Sequence, residues 1–204
     1  RFLHESFKNM ESGDFSTLKK KFAKGVELRG KTIGIIGFGR IGQSLASYAL
    51  GAGMDVIAVD QFTTPVKISV PLGLNNNFDV EITPTTDLQS VLGKLDYISL
   101  HVPKQADGSA VITANEFSKM KKGVLIVNAS RGGVIDENDL LVALDEGVIG
   151  GVALDVYENE PNPRKDLLNH PKIACTPHIG AATLEAQDRI GEELAQLIIG
   201  QFGK

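Results

Sequence analysis

A glycine-rich turn between an apolar run and a helix-like segment constrains the fold of this chain more than any other feature. The turn reads Gly-Phe-Gly-Arg-Ile-Gly at residues 37–42, directly after the apolar residues 33–36. In such a turn the first glycine permits a tight bend, the second lets a phosphate approach the backbone, and the third lets the helix pack on the strand. Apolar residues at helical spacing over 41–50 complete a strand–turn–helix unit, which predicts a Rossmann-type dinucleotide site.

The rest of the chain alternates between short apolar runs and segments with helical spacing. This alternation predicts an α/β fold with a doubly wound parallel sheet. The predicted strands are 33–36, 56–59, 97–102, 124–127, 151–156 and 173–176. The predicted helices are 41–50, 87–92, 115–120, 136–146 and 183–199, with Thr183 as the cap of the last one. The Thr-, Pro- and Asn-rich residues 61–78 predict a loop that contains one short strand.

Composition limits the classes of partner. The chain has 204 residues, of which 42% are hydrophobic and 23% charged, enough for a packed core. The net charge of −4 gives no reason to expect nucleic acid or an anionic membrane as partner. No apolar run approaches the roughly 20 residues of a membrane-spanning helix. Cys175 is the only cysteine, so an internal disulfide is excluded and a reducing, cytoplasmic environment is expected.

An acidic residue ends the second predicted strand, about 20 residues beyond the glycine turn. A carboxylate at Asp60 can accept hydrogen bonds from both hydroxyls of an adenosine ribose, and it would repel a 2′-phosphate. The sequence therefore predicts NAD rather than NADP as the cofactor. A helix cap or an ordinary surface position is the alternative interpretation of this residue.

Three later strand ends carry residues suited to a redox site, namely Arg131, Glu160 and His178. Oxidising a hydroxy acid requires a base for the hydroxyl proton, a cation for the carboxylate, and a group that orients the base. Imidazole titrates near neutral pH, which suits His178 as the base. The fork of Arg131 suits the carboxylate, and Glu160 suits the orienting role. Each residue alone has an ordinary structural interpretation, and their shared position at strand ends favours catalysis.

The other histidines and the cysteine show no comparable pattern. His4 falls in a charged N-terminal helix, and His170 precedes a proline in a loop. His101 ends a strand, where it would line the cofactor groove. The spacing of these residues matches no metal-ligand motif, so no metal site is predicted. Cys175 is expected to pack in the interior.

Three segments together resemble the D-isomer-specific 2-hydroxyacid dehydrogenases, and the resemblance extends over about residues 28–194. They read Asn-Ala-Ser-Arg-Gly-Gly at 128–133, Leu-Asp-Val-Tyr-Glu-Asn-Glu-Pro at 154–161, and Pro-His-Ile-Gly-Ala-Ala-Thr-Leu-Glu-Ala-Gln at 177–187. The resemblance implies that Arg131, Glu160 and His178 are catalytic and that Asp155 binds the nicotinamide carboxamide. Together with the glycine turn, it implies NAD contacts at Gly37, Gly39, Arg40, Ile41, Gly42, Asp60, His101, Val102, Pro103, Ala129, Ser130, Arg131, Asp155, His178, Ile179, Gly180 and Ala181.

Within that family, residues 178–187 are most similar to the D-3-phosphoglycerate dehydrogenases. This similarity implies oxidation of 3-phosphoglycerate to 3-phosphohydroxypyruvate, a reaction of serine biosynthesis, and the family as a whole implies a homodimer. Glycerate dehydrogenases and glyoxylate/hydroxypyruvate reductases are one alternative. An NAD-sensing binding module, like the corepressors that resemble the same family, is another, since such proteins keep the three catalytic residues.

The family places a substrate domain of about 100 residues before its cofactor domain. We therefore expect residues 1–28 to form a linker helix region and 29–182 an NAD-binding domain. Residues 183–204 are expected to form a helix that returns toward a substrate domain largely absent from these residues. The 204 residues alone are expected to bind NAD with little turnover. The poor match of 63–77 to the family leaves the adenine side of the site unassigned.

Overall fold

The computed structural model describes residues 3–11, 13–73 and 75–203. Its eight strands are β1 (Thr32–Ile36), β2 (Asp55–Val59), β3 (Val66–Pro71), β4 (Asn77–Ile82), β5 (Tyr97–Leu100), β6 (Val124–Asn128), β7 (Ile149–Leu154) and β8 (Ile173–Cys175). Six of them form a parallel sheet in the order β2-β1-β5-β6-β7-β8. This confirms the predicted doubly wound α/β fold. Because β2 and β5 lie on opposite sides of β1, the chain changes direction across the sheet there, where such folds bind ligands.

Helices surround this sheet. They are α1 (Leu3–Asn9), α2 (Phe15–Lys21), α3 (Arg40–Gly51), α4 (Ala114–Phe117), α5 (Glu137–Asp145), α6 (Lys165–Asn169) and α7 (Leu184–Phe202), with a 3₁₀ helix at Leu92–Lys94. The Thr183 hydroxyl accepts a hydrogen bond from the Ala186 N–H, so it caps α7 as predicted. The predicted linker region 1–28 contains α1 and α2, and its residues 1, 2 and 12 lie outside the described part.

Two clusters of buried apolar side chains fix the sheet. In the larger cluster, strand residues such as Ile98 pack with Leu140 and Leu144 of α5, and all three are fully buried. In the smaller cluster, Ile35 of β1 packs with Ala46 of α3. Each fully buried Leu or Ile side chain stabilises the fold by roughly 1.5–3 kcal/mol. The central strands β1 and β5 are short and nearly all apolar because both of their faces are buried.

Residues 61–78 contain one short strand within loop, β3, as predicted. The partner strand β4, which begins at Asn77, was not predicted, and the two strands form an antiparallel hairpin. Polar and apolar residues alternate along β3, so Ile68 and Val70 face the core while Lys67 and Ser69 do not. The Ser47 hydroxyl of α3 donates to the Ser69 carbonyl at 2.8 Å. The period of two was readable in the sequence, and the Thr, Pro and Asn content obscured it.

Three smaller differences concern local elements. The predicted helix 87–92 is a series of turns followed by the 3₁₀ helix. The predicted strand 97–102 ends at Leu100, so the next three residues leave the sheet edge. The helix α6 was not predicted, because Pro163 and the charged residues beside it favour a loop.

The last helix, α7, lies apart from the core. None of its residues is buried, and its exposed side chains include Leu194, Leu197 and Ile198. Among the described residues, no helix is long and apolar enough to cross a membrane.

Candidate active site

The carboxyl ends of the six parallel strands form one edge of the sheet, and predicted site residues directly follow five of them. In spatial order from β2 to β8, the residues after the strands are Asp60, Gly37, His101, Ala129, Asp155 and Thr176. Neighbouring strands lie about 4.8 Å apart, so this edge extends over roughly 25 Å. The fold therefore brings the residues predicted for the cofactor and those predicted for catalysis to the same edge.

The glycine turn is shaped by close backbone contacts. Gly37 has a φ of 93°, and a Cβ atom there would lie 2.5 Å from the His101 carbonyl oxygen. A Cβ atom at Gly42 would overlap the Gly37 carbonyl oxygen, whereas Gly39 faces open space. No side chain caps the start of α3, so its first N–H groups are available to an anion. These features fit a pyrophosphate, which needs open space beside free backbone donors.

Asp60 joins the glycine turn to the end of β2. One carboxylate oxygen accepts the Phe38 N–H at 2.6 Å, and the other accepts the Phe62 N–H at 3.1 Å. A carboxylate offers about four acceptor positions, so it can still accept ribose hydroxyls. Backbone N–H groups therefore already fix Asp60, the residue that would bind the ribose of NAD.

His101 directly follows β5 at the same edge of the sheet. Its Nε2 lies 2.9 Å from the Ser99 hydroxyl, and burial lowers its pKa. A lowered pKa keeps this imidazole neutral near pH 7. Within the described residues, no group of three or more His, Cys, Asp or Glu side chains is arranged to hold a metal ion.

A buried asparagine shapes the turn that carries Arg131. The Asn128 amide donates to the Arg131 carbonyl at 3.0 Å, and its oxygen accepts both the N–H and the hydroxyl of Ser130. Asn128 is 2% exposed, so these bonds are shielded from water. The Arg131 side chain is exposed and donates one hydrogen bond to the Ser130 carbonyl, which leaves donors for a substrate carboxylate.

Glu160 and His178 form a hydrogen-bonded pair between the loops after β7 and β8. The Nδ1 atom of His178 lies 2.8 Å from Glu160 Oε2, and the Tyr157 N–H donates to Oε1 at 3.0 Å. The hydrogen bond from His178, followed by that from Tyr157, holds the pKa of Glu160 below its usual value. Glu160 is therefore ionised at neutral pH. Because an ionised carboxylate can only accept, Nδ1 is the donor in this pair, and Nε2 carries the lone pair of the neutral imidazole.

Asp155 is buried at the end of β7, and both of its oxygens accept hydrogen bonds from the His178 turn. One oxygen accepts the Thr176 hydroxyl at 2.6 Å and the Ile179 N–H at 2.9 Å, and the other accepts the Gly180 N–H at 2.7 Å. Burial alone would raise the pKa of Asp155, but these hydrogen bonds outweigh it and hold the pKa below its usual value.

The sequence analysis did not identify two residues that support this site, Tyr157 and Thr176. The buried Tyr157 hydroxyl is hydrogen-bonded to the carbonyls of Leu154 at 3.1 Å and Thr176 at 2.9 Å, so it ties the ends of β7 and β8 together. Burial raises the pKa of Tyr157. Both residues lie beside predicted site residues, but no local spacing signals contacts between positions 19 or 21 apart in sequence.

The sequence of this chain matches that of a known protein family. The family model described as D-isomer specific 2-hydroxyacid dehydrogenase, NAD binding domain, matches residues 1–180. The chain belongs to this family. Its fold and its glycine turn fit the NAD-binding domain of that description.

Individual 2-hydroxyacid dehydrogenases are similar over nearly the whole chain. A hydroxypyruvate reductase from Thermotoga maritima is 42% identical over 91% of this chain and 57% of its own length. D-3-phosphoglycerate dehydrogenase 3, chloroplastic, from Arabidopsis thaliana is 40% identical over 95% of this chain and 32% of its own length. The crystal structure of a glyoxylate reductase from Paecilomyes thermophila superposes with a TM-score of 0.76 at 33% identity, over 94% of this chain and 54% of the other. The chain thus spans between a third and just over half of these relatives.

Proposed function

We propose that the protein carrying this chain is an NAD-dependent D-2-hydroxyacid dehydrogenase whose preferred substrate is 3-phosphoglycerate, oxidised to 3-phosphohydroxypyruvate. The observation that carries the proposal is the 2.8 Å pair of His178 and Glu160, which lies on the same sheet edge as the Arg131 turn and the glycine turn. A base with a fixed tautomer, a free guanidinium and a phosphate-binding turn are the parts that this reaction requires.

Each catalytic residue has a separate role in this proposal. The Arg131 guanidinium binds the substrate carboxylate and orients the carbon that is oxidised. Nε2 of His178 takes the hydroxyl proton as the carbonyl forms, and Glu160 stabilises the resulting imidazolium. When NAD is bound, its nicotinamide supplies the acceptor for the hydride. The glycine turn and Asp60 would hold the pyrophosphate and the adenosine ribose of that cofactor.

The relatives support two related substrates. The D-3-phosphoglycerate dehydrogenase from A. thaliana favours the phosphorylated acid. The slightly more similar hydroxypyruvate reductase from T. maritima favours reduction of hydroxypyruvate as a second candidate. The two reactions differ by one phosphate group on the substrate, so side chains that bind a phosphate would decide between them.

Initial rates of NADH formation by the full-length protein test the choice of substrate. We expect kcat/KM for 3-phosphoglycerate to exceed that for D-glycerate by about a hundredfold, since charge-assisted hydrogen bonds to a phosphate are strong. A preference for D-glycerate would contradict the finer proposal and favour the hydroxypyruvate reductase. Binding of NAD without turnover of either acid would favour the binding module and contradict the dehydrogenase.

We further propose a homodimer in which α7 connects the NAD-binding domain, residues 29–182, to a substrate domain. The exposed apolar side chains of α7, among them Leu194 and Leu197, support a packing partner for this helix. Light scattering of the full-length protein would give twice the chain mass if the dimer forms. A mass equal to one chain would contradict it.

A further inference from the structure

The backbone at His178 has an unfavourable conformation. Its φ is 55°, and it is the single residue other than glycine with a positive φ in the described part of the chain. Bulky side chains avoid this left-handed region because Cβ approaches the carbonyl oxygen. Such a conformation persists only where surrounding contacts determine it.

Residues before and after His178 in the chain donate hydrogen bonds to Asp155. Thr176 precedes it by two residues, while Ile179 and Gly180 follow it directly, and all three donate to the same carboxylate. Asp155 is 7% exposed, so the carboxylate is buried, while the His178 side chain is exposed. A Cβ atom at Gly180 would lie 2.9 Å from the carboxylate, which shows how closely the turn fits around it.

We infer that Asp155 is a positioning residue for the catalytic base, which fixes the His178 backbone through three hydrogen bonds before any cofactor binds. This role is separate from the contact with the nicotinamide carboxamide that the family resemblance implies. It rests on the proposed function only insofar as His178 is the base. The geometry itself is a property of the free protein.

The remaining contact of His178 does not fix its backbone. The bond to Glu160 joins side chains that are 51% and 36% exposed, so it sets the direction of the ring. The three groups that face Asp155 are all donors, and an ionised carboxylate accepts from all of them. An amide at this position turns one donor toward another donor, so an isosteric change breaks the turn.

Hydrogen exchange in the full-length protein without cofactor measures this role directly. We expect Asp155→Asn to speed exchange of the Ile179 and Gly180 amides by about tenfold to a hundredfold, since one of them loses its acceptor and the other keeps only a neutral one. Asp96→Asn is the matched control. The Asp96 carboxylate accepts the Thr32 N–H at 3.0 Å at the opposite edge of the sheet, so this variant leaves exchange in the His178 turn unchanged.

Kinetics separate positioning from cofactor binding. Thr176→Val removes one hydrogen bond from the turn but leaves the Asp155 carboxylate in place. At saturating NAD, we expect kcat of Thr176→Val to fall by about tenfold and that of Asp155→Asn by about a hundredfold, because small displacements of a base are costly. We expect KM for NAD of Thr176→Val to remain unchanged. The Thr176 variant carries the test if the Asp155 variant does not fold.

Two results would overturn the inference. One is unchanged exchange of Ile179 and Gly180 in Asp155→Asn together with a higher KM for NAD, which would make Asp155 a cofactor ligand alone. The other is unchanged kcat in Thr176→Val despite faster exchange at the turn. Normal turnover after loss of the His178 side chain would instead contradict the proposed function, while the exchange measurement would still decide the role of Asp155.

Discussion

The carboxyl ends of the parallel strands form an edge of the sheet whose two halves are held by different interactions. The half that we propose for cofactor binding, called the cofactor half, lies at the ends of β2, β1 and β5 and consists of residues 37–42, Asp60 and His101. It is shaped by close contact between backbone atoms, as at Gly37 and Gly42. The half that we propose for catalysis, called the catalytic half, lies at the ends of β6, β7 and β8 and consists of Arg131, Asp155, Glu160 and His178. Side-chain hydrogen bonds between positions 18 to 25 residues apart in sequence hold its Asp155, Glu160 and His178.

The two halves should therefore respond differently to substitution. Backbone contacts leave no room for adjustment, so a change in the cofactor half acts on the stability of the whole domain. Hydrogen bonds of exposed side chains contribute little to stability, so a change at Arg131, Glu160 or His178 alters geometry while the fold persists. The predictions below compare the two halves in these terms.

The largest effect is expected at Gly42. Its Cβ atom in Gly42→Ala would overlap the Gly37 carbonyl, and we expect the free energy of unfolding to fall by about 3 kcal/mol in denaturant titrations. Gly39→Ala is the control, since a Cβ atom there meets open space. That variant should keep its stability and lose NAD affinity. Equal stability of the Gly42 variant and the native protein would show that backbone packing does not define the cofactor half.

Arg131→Ala should reduce turnover while the fold persists. We expect kcat/KM for the acid to fall by roughly a hundredfold to a thousandfold, because a donor to the reacting substrate is lost. Arg131→Lys should recover only part of this activity, since an ammonium group cannot form the bidentate fork. Steady-state kinetics at saturating NAD measure both. A loss confined to KM for NAD would assign Arg131 to the cofactor half instead.

Asp60→Asn should change the choice of cofactor. The neutral amide no longer repels a 2′-phosphate, so the ratio of kcat/KM for NAD to that for NADP should fall by about tenfold to a hundredfold. Initial rates with each cofactor measure this ratio. An unchanged ratio, or an NADP preference in the native protein, would contradict the ribose-binding role of Asp60.

The smallest effect concerns pH. Hydrogen bonds from His178 and Tyr157 hold the pKa of Glu160 low, so its carboxylate is charged over the neutral range. Glu160→Gln removes that charge, and the acidic limb of the kcat/KM profile for oxidation should move to lower pH by about one unit. Glu158→Gln is the control, because Glu158 lies on the same loop as Glu160 but its side chain accepts the Glu137 N–H at the start of α5. Identical profiles for both variants would dismiss the pairing of Glu160 with the base.

The sequence predicts the cofactor half more completely than the catalytic half, for a physical reason. Gly37, Gly39 and Gly42 meet local steric requirements, so their spacing alone indicates the turn and the helix that follows it. The roles of Asn128, Tyr157 and Thr176 depend on which loops adjoin in space. Only the tertiary structure brings those donors and acceptors together. The roles predicted for the site residues, such as Asp60 and His178, remain predictions, and the fold that positions them is confirmed.

The hairpin of β3 and β4 is another feature whose contacts between segments could not be predicted from local sequence. The period of two along β3 is a local signal that indicates a strand, but residues 61–78 were assigned from composition. The partner strand β4 carries a weaker pattern, in which Phe78 is exposed and only Ile82 is buried. Its pairing is visible only once β3 lies on α3, because tertiary packing outweighs local propensity in sheets.

A comparison of turnover in two proteins tests whether the residues at the strand ends form the redox site of an NAD-dependent dehydrogenase. It compares NADH formation from 3-phosphoglycerate by the full-length protein and by His178→Gln, with NAD affinity measured in parallel. We predict that substrate-dependent NADH formation falls by about a thousandfold in the variant, while NAD affinity changes little. Equal turnover by the two proteins would contradict it.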